Sequence, residues 1–151
     1  MLEVGVKAPE FALENQDGEI VRLSDFIGKK VILYFYPKDN TPGCTTQACS
    51  YAQNYPLFTA KDAVVIGISK DSAASHKKFE QKHELPFILL SDTALETIQA
   101  YDVWKEKNMY GKKVMGIVRS SYLIDEEGMI SAAFEKVKPA ENAKQMLSML
   151  D

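Results

Sequence analysis

Several things that would assign a function cheaply are scarce or missing in this sequence. There are two cysteines and two histidines in 151 residues. Two cysteines do not make a disulfide framework, and a reducing compartment keeps both as thiols unless chemistry oxidises them. Positive charge is not in excess: 18 Lys and Arg stand against 21 Asp and Glu, a net charge of -3. Without a basic face to neutralise phosphates, neither nucleic acid nor an anionic membrane is indicated as a partner. No run approaches the roughly 18 apolar residues of a spanning helix, and Met1 to Glu10 lacks the basic and apolar regions of a secretory signal. A cytoplasmic protein is expected. A zinc site would have to use Cys44, Cys49, His76 and His83, and the six residues between the histidines exceed the usual three to five. Both histidines lie in a lysine-rich polar stretch and read as solvated surface groups without a role. No metal or cofactor is expected.

What is present is an ordinary globular composition, 46% hydrophobic and 26% charged, without repeats or linkers. One packed domain over residues 1–151 follows from that length. Phe11–Glu14 and Ile20–Leu23 flank Asp17-Gly18, a hairpin signal, and Ser24 caps a short helical turn. Val31–Tyr36 is a continuous apolar run and reads as a buried strand ending at Pro37. A helix should begin near Pro42 and extend toward Ala60, with Pro56 kinking it or ending it early. Ala63–Ser69 reads as a second buried strand. Asp71 or Ser72 caps a helix that includes Phe79, and Phe87–Leu90 is a third strand. Asp92 opens a helical segment through Ile98 and Tyr101, Lys105–Lys113 reads as an irregular basic loop, and Ser121–Asp125 and Met129–Phe134 pair as a hairpin. Pro139 starts a terminal helix. This alternation of strands and helices implies an α/β fold, a three-layer sandwich around a mixed sheet with an added N-terminal hairpin.

The chemistry concentrates at Thr41-Pro42-Gly43-Cys44. Thr at the N-cap and Pro at the first helical position place Cys44 in a first helical turn, beside N–H groups without intrahelical acceptors. Those donors and the positive end of the macrodipole favour a thiolate, which is a nucleophile. The segment follows a central strand, where open α/β sheets place their ligands. Cys49 lies five residues on, about 7.5 Å along an ideal helix axis and about 140° around it. The two thiols cannot touch there, so a disulfide between them would require the first turns to unwind.

On these residues the chain resembles the peroxiredoxins, specifically the bacterioferritin comigratory protein or peroxiredoxin Q group. Pro37, Thr41 and Cys44 match the P-x3-T-x2-C signature of that family. The likeness extends from Val4–Phe11 through LSDFIGKKVILYFYP and SYLIDEEG to the terminal helix. It implies a thioredoxin-like fold, a peroxidatic Cys44 and a Thr41 hydroxyl that hydrogen-bonds thiolate and peroxide. It also implies an Arg119 that stabilises the thiolate and a Pro37 that shields the pocket. Cys49 corresponds to the resolving cysteine of the C-x4-C subgroup. The resemblance further implies an intramolecular disulfide reduced by thioredoxin or a similar dithiol protein, and a monomer. Peroxide preference would be set around Trp104, Met109 and Tyr110. Ala52 and Gln53 stand where relatives often carry Arg-Asp. Two rival readings share the site: a thiol-disulfide oxidoreductase, which normally has C-x-x-C, and a redox sensor whose helix rearranges on oxidation.

Overall fold

A computed structural model describes residues 1–150 of the chain. In order, the elements are β1 (Ala12–Asn15), β2 (Ile20–Arg22), a 3-10 turn (Leu23–Phe26), β3 (Lys30–Phe35), α1 (Pro42–Ala60), β4 (Ala63–Ser69), α2 (Ala73–His83) and β5 (Ile88–Ser91). They continue with α3 (Glu96–Ala100), β6 (Trp104–Met109), β7 (Lys112–Ile117), β8 (Ser120–Ile124), β9 (Ile130–Glu135) and α4 (Asn142–Leu147). Seven strands form one mixed sheet in the order β2-β1-β5-β4-β3-β8-β9. β3, β4 and β5 run parallel, as the helical crossovers between them require, whereas the hairpin-linked strands pair antiparallel. Among the described residues, no helix is long and apolar enough to cross a membrane.

The side-chain period of two divides β3 between the faces of the sheet. Ile32, Tyr34 and Tyr36 join a cluster with α1, α2 and α4, which includes Ala48, Tyr51, Phe58, Phe79 and Met146. Val31, Leu33 and Phe35 point the other way, into a cluster with Phe11, Leu23, Ile98 and Tyr101. Both faces are therefore covered, which is why β3 carries no polar alternation. Ile32 through Phe35 are fully buried, and each such side chain contributes roughly 1.5–3 kcal/mol. The exposed Lys29–Asp62 pair, 3.7 Å apart, is worth about 1 kcal/mol at most, so the core dominates.

Three expectations need correction, whereas α1 runs as expected to Ala60, without ending early at Pro56. Proline removes one ladder bond there, but Tyr51 and Phe58 on either side of it are fully buried and hold the flanking turns to the sheet. Lys105–Lys113 is an ordered hairpin, β6 on β7, with Met109 opposite Lys112. Tyr110 (φ 53°) and Gly111 (φ 78°) both take the left-handed conformation that a tight two-residue hairpin turn demands. The third helix begins at Glu96 instead of Asp92, because Asp92 turns inward and accepts the Ile98 N–H at 2.7 Å. Likewise the last helix begins at Asn142, after a turn over Lys138–Glu141.

Gly67, at the centre of β4, is required by close packing. A Cβ there would lie 2.8 Å from Tyr34 Cζ, and Tyr34 is itself stacked on Tyr51 with ring centroids 4.6 Å apart, so the ring has little freedom to retreat. Gly67→Ala should lower stability by roughly 1–3 kcal/mol. In denaturant unfolding this appears as an earlier midpoint with an unchanged slope.

Candidate active site

β3 ends at Phe35, and the chain crosses Tyr36–Asn40 before Thr41 opens α1. Thr41 has the extended backbone of an N-cap (φ -86°, ψ 153°), and its carbonyl accepts the first intrahelical bond from Thr45. Its hydroxyl caps none of the first-turn N–H groups. It donates instead to the Lys38 carbonyl at 2.9 Å, which braces the loop and leaves those helical donors for the site.

Cys44, in the first turn, is only 2% exposed. Register brings a cation to it. β8 lies antiparallel to β3 with Phe35 opposite Ser120, so Arg119, one residue before β8, stands at the same sheet end as the start of α1. Its Nη2 donates to Cys44 Sγ at 3.4 Å, and its Nη1 donates to Gln47 Oε1 at 2.7 Å. Gly43 makes room for this approach, since a Cβ there would sit 3.1 Å from Nη2. A half-buried Pro37 closes the strand end beside the loop. The start of α1 and the Arg119 guanidinium thus converge on the sulfur from two sides.

Cys49 is half-buried on the same helix and, like Cys44, is a free thiol. It borders a hollow of about 440 Å³ lined in part by Thr46, Gln53, Ala140 and Lys144. Gln53 is exposed, whereas Ala52 packs on the helix-side core. The tip residues Met109 and Tyr110 are exposed, Tyr110 by 99%. Trp104 stands at the base of the hairpin with the Lys70 ammonium 5.7 Å from its ring centroid.

Residues that carried no motif complete the site. The Asn142 carboxamide oxygen accepts from Gln47 Nε2 at 3.0 Å, Tyr51 OH at 2.6 Å and Ser121 Oγ at 2.8 Å. This fully buried hub ties α1 to α4 and β8, and through Gln47 it orients Arg119. Lys107, whose stem lies over Gly116, also belongs here. Burial, with Arg119 as a nearby like charge, holds its ammonium below the usual lysine range, while Cys44 acts in the opposite sense. No spacing in the sequence marks Gln47 or Asn142. Lys107 lay in the stretch read as loop.

His76 overturns the reading of both histidines as surface groups. It is fully buried, with its Nδ1 2.7 Å from Asp39 Oδ2 and its Nε2 2.9 Å from the Leu90 carbonyl oxygen. Its place on the inward face of α2, three residues before the buried Phe79, outweighed the polarity of its neighbours. His83 is half-buried, edge-on to Phe79.

Asn142→Leu would leave three buried donors without their acceptor. Unfolding stability should fall by roughly 2–5 kcal/mol, and amide exchange should accelerate in the first half of α1 more than in the central strands.

The sequence profile of the AhpC/TSA family matches residues 4–133. Peroxiredoxin Bcp of Bacillus subtilis is 48% identical over 149 residues, 99% of this chain and 95% of that protein. A protein named putative peroxiredoxin bcp from Coxiella burnetii is 49% identical, covering 99% of both. Among solved structures, the bacterioferritin comigratory protein of Xanthomonas campestris superposes with a TM-score of 0.91 at 38% identity, over 98% of this chain and 97% of that one. A cysteine-to-serine mutant of Xylella fastidiosa PrxQ gives 0.94 at 36% identity, over 99% and 96%. A thioredoxin-like sandwich, a cysteine seated at a helix start and this breadth of similarity place the chain in the AhpC/TSA family, as a peroxiredoxin of the bacterioferritin comigratory protein, or PrxQ, group.

Proposed function

We propose that this peroxidase reduces hydrogen peroxide and organic hydroperoxides with the Cys44 thiolate and closes its cycle through Cys49. The observation that carries the reading is the contact of Arg119 Nη2 with Cys44 Sγ at 3.4 Å, at the first turn of a 19-residue helix. Attack of the sulfur on the outer peroxide oxygen forms the S–O bond and breaks the O–O bond. The departing alkoxide or hydroxide takes a proton and leaves as alcohol or water, and Cys44 remains as a sulfenic acid. Arg119 and the helix donors are aimed where negative charge sits before attack and moves during it, the arrangement that lowers such a barrier most. Thr41, braced by Lys38, presents its residue at the helix mouth, and Pro37 limits water. Support for organic hydroperoxides comes from the Xanthomonas campestris relative, which is described for alkyl peroxide reduction activity.

In the second step the Cys49 thiolate attacks the sulfenic sulfur, forming the S–S bond and releasing hydroxide, which leaves as water. The cysteines are not within disulfide distance, so the first turns of α1 must open. Opening breaks the Thr45–Thr41 backbone bond and the Gln47 links to Asn142 and Arg119. At about 1 kcal/mol net per hydrogen bond, the opened state lies a few kcal/mol above the closed one, a minor but accessible population. A dithiol protein such as thioredoxin then reduces the disulfide by exchange. The cycle needs one chain only, in keeping with a monomer, and nothing in the proposed cycle calls on a membrane or a nucleic acid.

One equivalent of hydrogen peroxide should remove two thiols from the reduced protein. Cys49→Ser should retain a trappable sulfenic acid, and Cys44→Ser should not react. A Cys44→Ser protein that reacts as fast as the parent would overturn the assignment. Stopped-flow oxidation of Arg119→Met should show attack slowed by roughly 10²–10³-fold, with Cys44 still present as a free thiol at the start.

A further inference from the structure

A second buried polar cluster lies behind the loop that joins β3 to α1, and the thiol chemistry does not use it. Its centre is Asp39, 4% exposed. Asp39 Oδ1 accepts from Tyr36 OH at 2.6 Å, and Oδ2 accepts from Ser75 Oγ at 2.8 Å while facing His76 Nδ1 at 2.7 Å. The Asp39 N–H donates to Asp71 Oδ2 at 2.9 Å, an oxygen that also accepts from Ser69 Oγ at 2.6 Å. On the far side of the imidazole, Nε2 meets the Leu90 carbonyl at 2.9 Å. A carbonyl can only accept, so Nε2 carries a proton, and Nδ1 faces a carboxylate oxygen. Both ring nitrogens are directed at acceptors, and His76 closes a buried hydrogen-bonded pair with Asp39. Burial, reinforced by Asp39, holds the Tyr36 phenol far above its usual range, so it remains a donor to that carboxylate.

The oxygen and nitrogen atoms of Asp39, Asp71 and His76 lie within 4.8 Å of one another, but a cation there would have to displace the hydrogen bonds just described. The cluster fits a different task. Asp39 stands midway between Pro37 and Thr41, and its partners come from the end of β3, the β4–α2 loop and α2. A fully satisfied buried polar network tolerates few alternative geometries. It fixes one point of the loop two residues before the helix cap.

We propose that Asp39 and His76 are positioning residues for peroxide attack: their hydrogen bond pins the Pro37–Thr41 loop so that Cys44 meets Arg119 at contact distance, and it stays in place while the turns beyond Cys44 unwind. The inference rests on Cys44 as the attacking thiol. Displacing a nucleophile by about an ångström costs up to roughly a hundredfold in rate, and the resolving step, which needs the helix open, does not share that requirement.

The test is stopped-flow single turnover with hydrogen peroxide, following sulfenic acid formation and disulfide formation separately in full-length protein. Asp39→Ala should slow attack about tenfold or more, with disulfide formation as fast as in the parent or faster. Asp39→Asn should recover most of the loss, because its carboxamide accepts from Tyr36 and donates to a neutral His76. Ser75→Ala, which removes one donor from the carboxylate, should slow attack by about threefold. Attack by Asp39→Ala at the parental rate overturns the proposal, as does equal slowing of both steps. If Asp39→Ala fails to fold, Ser75→Ala decides, and an unchanged attack rate there overturns it. Cys44→Ser serves as the control. If it reacts at the parental rate, the peroxidase assignment itself is wrong, whereas an inert Cys44→Ser beside a fully active Asp39→Ala removes only the positioning role.

Discussion

The contact between the Arg119 guanidinium and the Cys44 sulfur is the interaction on which the rest of this structure turns. A sulfur 2% exposed is poorly placed to hold a negative charge, since moving an ion out of water costs several kcal/mol unless an opposite charge and hydrogen bonds meet it. The fold brings such groups toward the sulfur from two directions. Antiparallel pairing of β8 with β3 delivers the arginine, and the β3–α1 crossover delivers the helix N-terminus. Gly43 leaves the gap through which they approach, and Gln47 keeps the guanidinium from swinging away.

Two buried polar groups flank α1 and meet opposite demands. Asn142 gathers Gln47, Tyr51 and Ser121 on the side where the proposed cycle would open the helix. Asp39 and His76 hold the loop that precedes the helix. In the proposed cycle, attack by a thiolate needs a fixed geometry, whereas joining Cys44 to Cys49 would need that geometry abandoned. Hydrogen bonds suit such a boundary because each is worth only about 1 kcal/mol net, so a few of them define a state without locking it. The apolar core beneath, from Ile32 to Phe35 and across to Ile66 and Ile68, is not subject to that compromise.

Much of this was legible in the chain itself. The apolar run at Val31–Tyr36, the Asp17-Gly18 turn and the Thr41-Pro42-Gly43-Cys44 segment announced strand, hairpin and helix start through local preferences that the fold did not have to override. Lys105–Lys113 misled because its charges suggested a loop, although it pairs as a hairpin that Tyr110-Gly111 turns tightly. His76 misled for a related reason: polarity of the neighbours describes the outer face of α2 and says nothing of which residue points inward.

The sequence by itself determined the class of fold, the seat of Cys44 in a first helical turn and the incompatibility of a Cys44–Cys49 disulfide with an intact helix, because each depends on residue preference or helical spacing over a few positions. Tertiary structure alone decided the rest. Arg119 reaches Cys44 through strand register, Asn142 meets Gln47 across 95 positions, and His76 finds Asp39 across 37. Such contacts depend on which faces two distant elements turn toward each other, and that orientation is set by packing over the whole core.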